Sequence, residues 1–241
     1  MKKYAKEFIQ STASQRSAEW FSERLGKPSA SMLGDLLEVK RDGVTPTAKA
    51  EECLKKIAFE RRFGTTYESF QTKAMADGVF FEDFAKLVYQ KDTGNTLSEA
   101  HSYVSDWFVA TPDAKVIENI TGKHGLLECK VVGDKTFMDI MGNGIPHKHE
   151  LQVQGQMMAS GLDWVDYIVV NLKTKHYIIL RILRNNKLIK RIYERLHNLP
   201  PLPELHDLGV KEFDPNLLTQ YVNGNTEIAQ AEELILPDIG F

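Results

Sequence analysis

Asp113 follows a proline, and further along Glu128 and Lys130 stand one residue apart inside an apolar run, Leu126 to Val132. Charges in such a setting need compensation, because an unpaired buried charge either costs stability or changes its protonation state. Side chains on a strand alternate with a period of two, so Glu128 and Lys130 share one face. If the strand ending in Trp107 to Ala110 pairs with the strand of Glu128, Asp113 converges on the same point. A divalent cation held by Asp113 and Glu128 would account for both carboxylates, and Lys130 beside it could orient or activate a water. An isolated E-x-K is commonly a solvated strand face. Here Leu126, Leu127, Cys129, Val131 and Val132 make both faces apolar, which fits a solvated face poorly.

Two other stretches carry residues that could join this group. "GVFFE", Gly78 to Glu82, puts a carboxylate on an apolar helix, and a helix packed on the sheet could deliver Glu82 to the same metal. "ELQVQGQMM" sets Gln152 and Gln156 four residues apart, on one helical face, beside the core-like Leu151, Val153 and Met157. Taken alone, Gln152 reads as a satisfied polar residue at the edge of a core. His124, His147 and His149 lack nearby acid or thiol partners and are not assigned as ligands.

These residues need elements to hold them. Ser14 to Leu37 reads as a short helix, a turn at Gly26 to Pro28 and a second helix capped by Ser29 or Ser31. Helical spacing recurs over Lys49 to Arg62 and Phe70 to Tyr89. Beyond Gly94 the segments "HSYVSDWFVATPDAKVIE", "GLLECKVV", "WVDYIVVNL" and "KHYIILRIL" are rich in β-branched and aromatic residues and predict strands. One helix, His147 to Ser160, interrupts them, and helices over Asn186 to Leu196 and Leu217 to Glu233 follow. That order predicts an α/β fold, a central mixed sheet flanked by helices. The expected organisation is a single domain, with a helical third over residues 14–93, a sheet core over 94–185 and a helical extension over 186–241. "LILPDIGF" at the end reads as a subunit contact or as ordinary core.

Composition bounds the function. The chain has 241 residues, 30 Lys and Arg against 33 Asp and Glu, and a net charge of -3, so nucleic-acid binding would need positive charge gathered in a cleft or channel. Two cysteines, Cys53 and Cys129, exclude a four-thiolate metal site and point to a reducing cytoplasmic setting. No signal peptide or membrane-spanning run is read. The absence of a G-x-x-x-x-G-K-[ST] loop leaves a nucleotide-driven motor without support.

In order along the chain, "SAEWFSERLGKPSAS", "GVFFE", "ATPDA", "LLECKVV" and "HELQVQGQMMASGLDWVDYIVV" closely resemble the phage lambda exonuclease or YqaJ-like viral recombinase family, within the PD-(D/E)xK nuclease superfamily. The likeness covers Arg16 to Leu172 and implies a restriction-endonuclease-like core. It further implies that Asp113, Glu128 and the carbonyl of Cys129 bind metal, with Glu82 in direct contact or one layer behind. Lys130 would deprotonate or position water, and Gln152 would steady that water or Lys130. Arg24 and Ser31 match the residues that grip a 5′-phosphate. Trp20 either lines the DNA path or packs beneath it, with packing the favoured role.

Thr111 stands where many members have Ser before Pro-Asp, and still offers a hydroxyl; Val132 stands where many have Pro. The implied activity is a Mg²⁺-dependent 5′-to-3′ exonuclease, with Mn²⁺ able to substitute. It would digest one strand of linear double-stranded DNA and leave 3′ single-stranded tails for recombination. A ring-shaped homo-oligomer, a trimer in relatives, a single-strand annealing partner and a bacterial or phage-infected cytoplasm complete the expectation. A restriction- or repair-type endonuclease and a noncatalytic DNA-end-binding protein are the alternatives.

Overall fold

Ser17 opens the first helix by accepting the Trp20 N–H at 3.2 Å, as a serine at this position does. The computed structural model describes residues 3–67, 80–99, 101–204, 211 and 214–224. In chain order the first elements are β1 (Ile9–Gln10), α1 (Ala18–Arg24) and α2 (Leu33–Leu36), the last entered through a 3₁₀ turn at Ala30–Met32. Neither Ser29 nor Ser31 caps this turn as expected; their hydroxyls lie 3.1 Å apart and bond each other. α3 (Ala48–Phe63) starts at the Thr47 hydroxyl and stops at Gly64, whose φ of 65° only glycine adopts without strain.

The helix expected over Phe70 to Tyr89 falls partly outside the described residues. Its described part, α4 (Glu82–Thr93), runs past Tyr89 to end at Gly94. Then come β2 (Thr96–Ser98), β3 (Tyr103–Val104), β4 (Val109–Ala110), β5 (Ala114–Ile117) and β6 (His124–Val131). A helix absent from the sequence reading, α5 (Asp134–Asn143), follows; it buries Phe137 and Ile140, an i, i+3 pair. α6 (His147–Ser160), β7 (Trp164–Asn171), β8 (His176–Leu183) and α7 (Asn186–His197) complete the first compact unit, Met1–Glu204. The second unit, Leu205–Phe241, contains α8 (Pro215–Gly224); the tail "LILPDIGF" lies outside the described residues.

The main sheet has the order β2-β5-β6-β7-β8, with β6 and β7 parallel and the other pairs antiparallel. This is the expected mixed sheet with helices on it. All eight residues of β7 are buried, as befits a central strand covered on both sides. Leu126, Val165, Tyr167 and Val169 face one core with Val153, Met157 and Met158 of α6. Leu127, Cys129, Ile168 and Val170 face the other with Ala85 and Tyr89 of α4. Each such fully buried aliphatic side chain contributes about 1.5–3 kcal/mol.

Strands β1, β3 and β4 form a separate small sheet. The strand before Asp113 therefore does not pair with β6, so that condition for bringing Asp113 to Glu128 is not the one met. Asp113 instead ends the loop into β5, which does pair with β6, and its own N–H donates to Leu127 O at 3.0 Å.

Two glycines let α2 and α6 approach closely. A Cβ on Gly155 would sit 2.5 Å from Leu33 Cδ1, and one on Gly34 would sit 2.9 Å from the Lys148 Cα. The same contact brings the Ser31 segment against the helix that carries Gln152.

Candidate active site

Glu128 is 2% exposed and accepts three side-chain hydrogen bonds. Lys130 Nζ and Gln152 Nε2 donate to Oε1 at 2.5 and 2.6 Å, and Gln156 Nε2 donates to Oε2 at 2.6 Å. Two helical turns of α6 thus present both amides to one strand carboxylate, because residues four apart on a helix share a face. Gln154, between them in sequence, points elsewhere: it donates to Leu183 O and accepts from the Asn185 N–H. Burial alone would lower the Lys130 ammonium, yet the charges of Glu128 and Asp113 reverse this and hold it raised, so it is a cation at neutral pH.

Asp113 is placed beside this pair but is compensated differently. The Cys129 N–H donates to its Oδ2 at 2.6 Å, and no side chain of the described residues pairs with it. Burial, then the charges of Glu128 and Glu82, push its carboxyl well above the usual range, with Lys130 only partly offsetting them. The Cys129 thiol is raised by burial and the same three carboxylates, which favours its protonated form.

Asp113 also borders an open cleft of about 420 Å³, lined by Lys86, Leu87 and Gln90 of α4 and by Ser14 and Gln15. Gln156 Oε1, fully buried, has no hydrogen-bond partner among the described residues. An Asp with no cation beside it among those residues, a neighbouring Glu and this amide oxygen make a hard-oxygen donor set, which suits a hydrated Mg²⁺ or Mn²⁺ bound through one or two carboxylates. Among the described residues, no three His, Cys, Asp or Glu converge tightly enough to hold a metal by themselves.

Glu82 is near enough for its charge to act on Asp113, but it is engaged by other partners. It starts α4, on the Leu127 face of the sheet, opposite to Glu128. Lys86 Nζ binds its Oε1 at 2.6 Å, and Arg16 binds its Oε2 at 3.2 Å. Neither Arg16 nor Lys86 is singled out in the sequence reading, although Lys86 is i+4 from Glu82, the spacing of a helical ion pair.

The N-terminal block joins the carboxylates through Thr111. Arg24 NH1 donates to Thr111 Oγ1 at 3.0 Å, and Gln156 Nε2 reaches Thr111 O at 3.3 Å. The Arg24 guanidinium lies 4.2 Å from the centre of the Trp20 ring, which supports it from below. Burial brings Arg24 down to about 10, against the pull of Glu60, so it remains charged. Glu60 also accepts the Gly26 N–H at 2.9 Å and so fixes the turn after Arg24. Ser31 is exposed, tied to Ser29 and not to Arg24.

The three histidines stay apart in their bonding. His147 pairs with Glu150 and His149 Nδ1 with Tyr167 Oη at 2.7 Å, while His124 is exposed at the start of β6. Burial first, then Lys130 and Lys148, lower His149 to about 4, leaving it neutral.

Known proteins share this fold. The alkaline exonuclease LHK-Exo of Laribacter hongkongensis superposes with a TM-score of 0.65 at 23% identity, covering 90% of this chain and all of that one. The same enzyme in complex with dAMP gives 0.65 at 24%. A phage related exonuclease from Haemophilus somnus 129PT gives 0.54 at 15%, covering 71% of this chain and 90% of that one. At such identities the likeness shows the fold, a restriction-endonuclease-like α/β core. Among curated proteins none matches the chain. The model of the YqaJ-like viral recombinase domain matches residues 19–163, more than half of the sequence and the span from Trp20 to Gln156. The chain belongs to the YqaJ-like viral recombinase family.

Proposed function

We propose that the protein is a Mg²⁺-dependent exonuclease that digests one strand of linear double-stranded DNA from a 5′-phosphorylated end, leaving 3′ single-stranded tails for recombination by strand annealing. The observation that carries this reading is the continuous chain of contacts from Glu128 through Gln156 and Thr111 to Arg24. It links a carboxylate pair suited to a hard cation with a supported guanidinium suited to a terminal phosphate. Family membership and the exonucleases among the structural neighbours agree with it.

In this reading Asp113 and Glu128 hold the metal, with the Cys129 carbonyl as a further oxygen. A bound Mg²⁺ supplies Lewis acidity and a water of lowered pKa. Lys130, held as an ammonium, orients that water and stabilises charge on the scissile phosphate, without itself taking a proton. Gln152 and Gln156 fix the Glu128 carboxylate so that little reorganisation remains at the moment of reaction. Arg24, resting on Trp20, and the hydroxyls of Ser31 and Thr111 receive the 5′-phosphate. A ring of three copies around the duplex and an annealing protein as partner complete the proposal.

The test is digestion of linear duplexes bearing 5′-phosphate, 5′-hydroxyl or closed ends, with Mg²⁺ and with chelator. Rapid, Mg²⁺-dependent loss of the phosphorylated substrate alone is expected, abolished by Lys130→Ala and stripped of its phosphate preference by Arg24→Ala. Closed circles cut at a comparable rate would indicate an endonuclease, and binding of ends without digestion a noncatalytic factor; either result overturns the reading. Light scattering that returns a monomer with and without DNA would sink the ring.

A further inference from the structure

The charges around the cleft balance in an uneven way. Lys130 serves Glu128, Lys86 and Arg16 both serve Glu82, with Asp83 also 3.5 Å from Lys86, while Asp113 has no cation among the described residues. Lys86 is nevertheless not remote from Asp113. Both line the same cleft of about 420 Å³. Burial alone would lower the Lys86 ammonium, but the hydrogen bond and charge of Glu82, followed by the charge of Asp113, leave it raised. Its side chain is 22% exposed, less than the 50% of Arg16, so it is the less hydrated of the two cations on Glu82.

From this juxtaposition we infer that Lys86 is the resident counter-ion of the carboxylate cluster, the cation against which a divalent metal ion competes. The inference rests on the metal-dependent reading of Asp113 and Glu128 and deepens it. A positive charge within range of Asp113 lowers the potential that attracts a second cation there. It also pairs with Glu82 at the start of α4. At an effective dielectric of about 20, two unit charges a few Å apart interact strongly enough to change an ion's affinity by an order of magnitude. An ordinary i, i+4 surface pair would contribute a fraction of that and would not touch metal affinity.

The experiment is calorimetric titration of Mn²⁺ into DNA-free protein. Wild type is compared with Lys86→Met, which keeps the length and apolar stem of the side chain, Lys86→Arg, which keeps the charge, and Asp113→Asn. Lys86→Met is expected to bind Mn²⁺ about tenfold more tightly than wild type, and to melt at a lower temperature in chelator with the loss recovered on adding Mn²⁺. Lys86→Arg is expected to match wild type in both. If Lys86→Met lowers the chelator melting point but binds Mn²⁺ with unchanged or weaker affinity, Lys86 is a structural pair only and the inference fails. That failure is distinct from failure of the site reading, which would show as wild type taking up no Mn²⁺, or Asp113→Asn taking it up equally well.

Discussion

Glu128 and Asp166 lie on neighbouring strands, and each is 2% exposed, yet their surroundings differ in kind. Asp166 pairs in register with Leu127, so it faces the opposite side of the sheet from Glu128. Arg181, its cross-strand partner on β8, grips it through Nε at 2.8 Å and NH2 at 2.9 Å, and the Tyr89 hydroxyl adds a bond of 2.6 Å. Arg181 is itself fixed over the Trp164 ring at 3.9 Å and by Glu118 at 2.6 Å. This is a closed network, with a planar guanidinium matched to the carboxylate it neutralises. On the other face, Glu128 is steadied mainly by amides, and its neighbour Asp113 by a single backbone N–H. A buried acid used for structure comes with its own fitted cation, whereas in the candidate site Lys130 serves Glu128 and Asp113 has no cation among the described residues.

That contrast can be broken by substitution. The largest effect is expected from Glu128→Gln, which should lower digestion of linear duplex DNA by about 10³-fold; a variant within a few-fold of wild type would place the chemistry elsewhere. Asp166→Asn should act on stability and not on chemistry. Leaving Arg181 with Glu118 alone is expected to cost about 1–3 kcal/mol in denaturant unfolding, with activity per folded molecule unchanged in the cold. Asp113→Asn should do the reverse and stabilise the metal-free protein at neutral pH by about 1–2 kcal/mol, the usual exchange of function for stability.

The sign of the Asp113 effect follows from linkage. Its carboxyl is raised in the folded state, so between the ordinary carboxylate pKa and the raised one the folded protein holds more protons than the unfolded chain. Wild-type stability in chelator therefore falls as pH rises through that window. The advantage of Asp113→Asn should grow toward neutral pH and vanish below about pH 4; an advantage independent of pH would contradict the assignment. The smallest effect sharpens the link to the N-terminal block. Thr111→Val removes the acceptor at 3.0 Å from Arg24 and should raise KM for 5′-phosphorylated ends about fivefold, leaving 5′-hydroxyl ends unaffected.

Much of the site was legible before any fold was known. Glu128 and Lys130 share a face because strand side chains alternate, and Gln152 and Gln156 share one because of helical period. Both are local rules, and both held. What the local rules left open was long-range. Whether the strand carrying Val109 and Ala110 pairs with β6 was only a condition; it pairs with β3, and the short β5 after Asp113 takes the place beside Glu128. Strand pairing depends on which apolar faces cover which helices, and residue periodicity carries no record of that. The helix Asp134–Asn143 was missed because its inward residues are few, with Met138 and Met141 exposed beside them.

"WVDYIVV" contains a charge as conspicuous in an apolar strand as the one in "LLECKVV". By itself the sequence determined that the Glu of "LLECKVV" stands in an apolar strand with a lysine on its own face, and that two glutamines share one face of a helix; the Asp of "WVDYIVV" was not read from it. Only the tertiary structure decided which buried acid is left without a cation among the described residues. Arg181 reaches Asp166 through the register of β7 on β8, whereas the cations nearest Asp113 are committed to Glu128 and Glu82. Charge neutralisation is a property of groups brought within a few Å, and which groups come that close is settled by sheet register and by the face on which each helix lands.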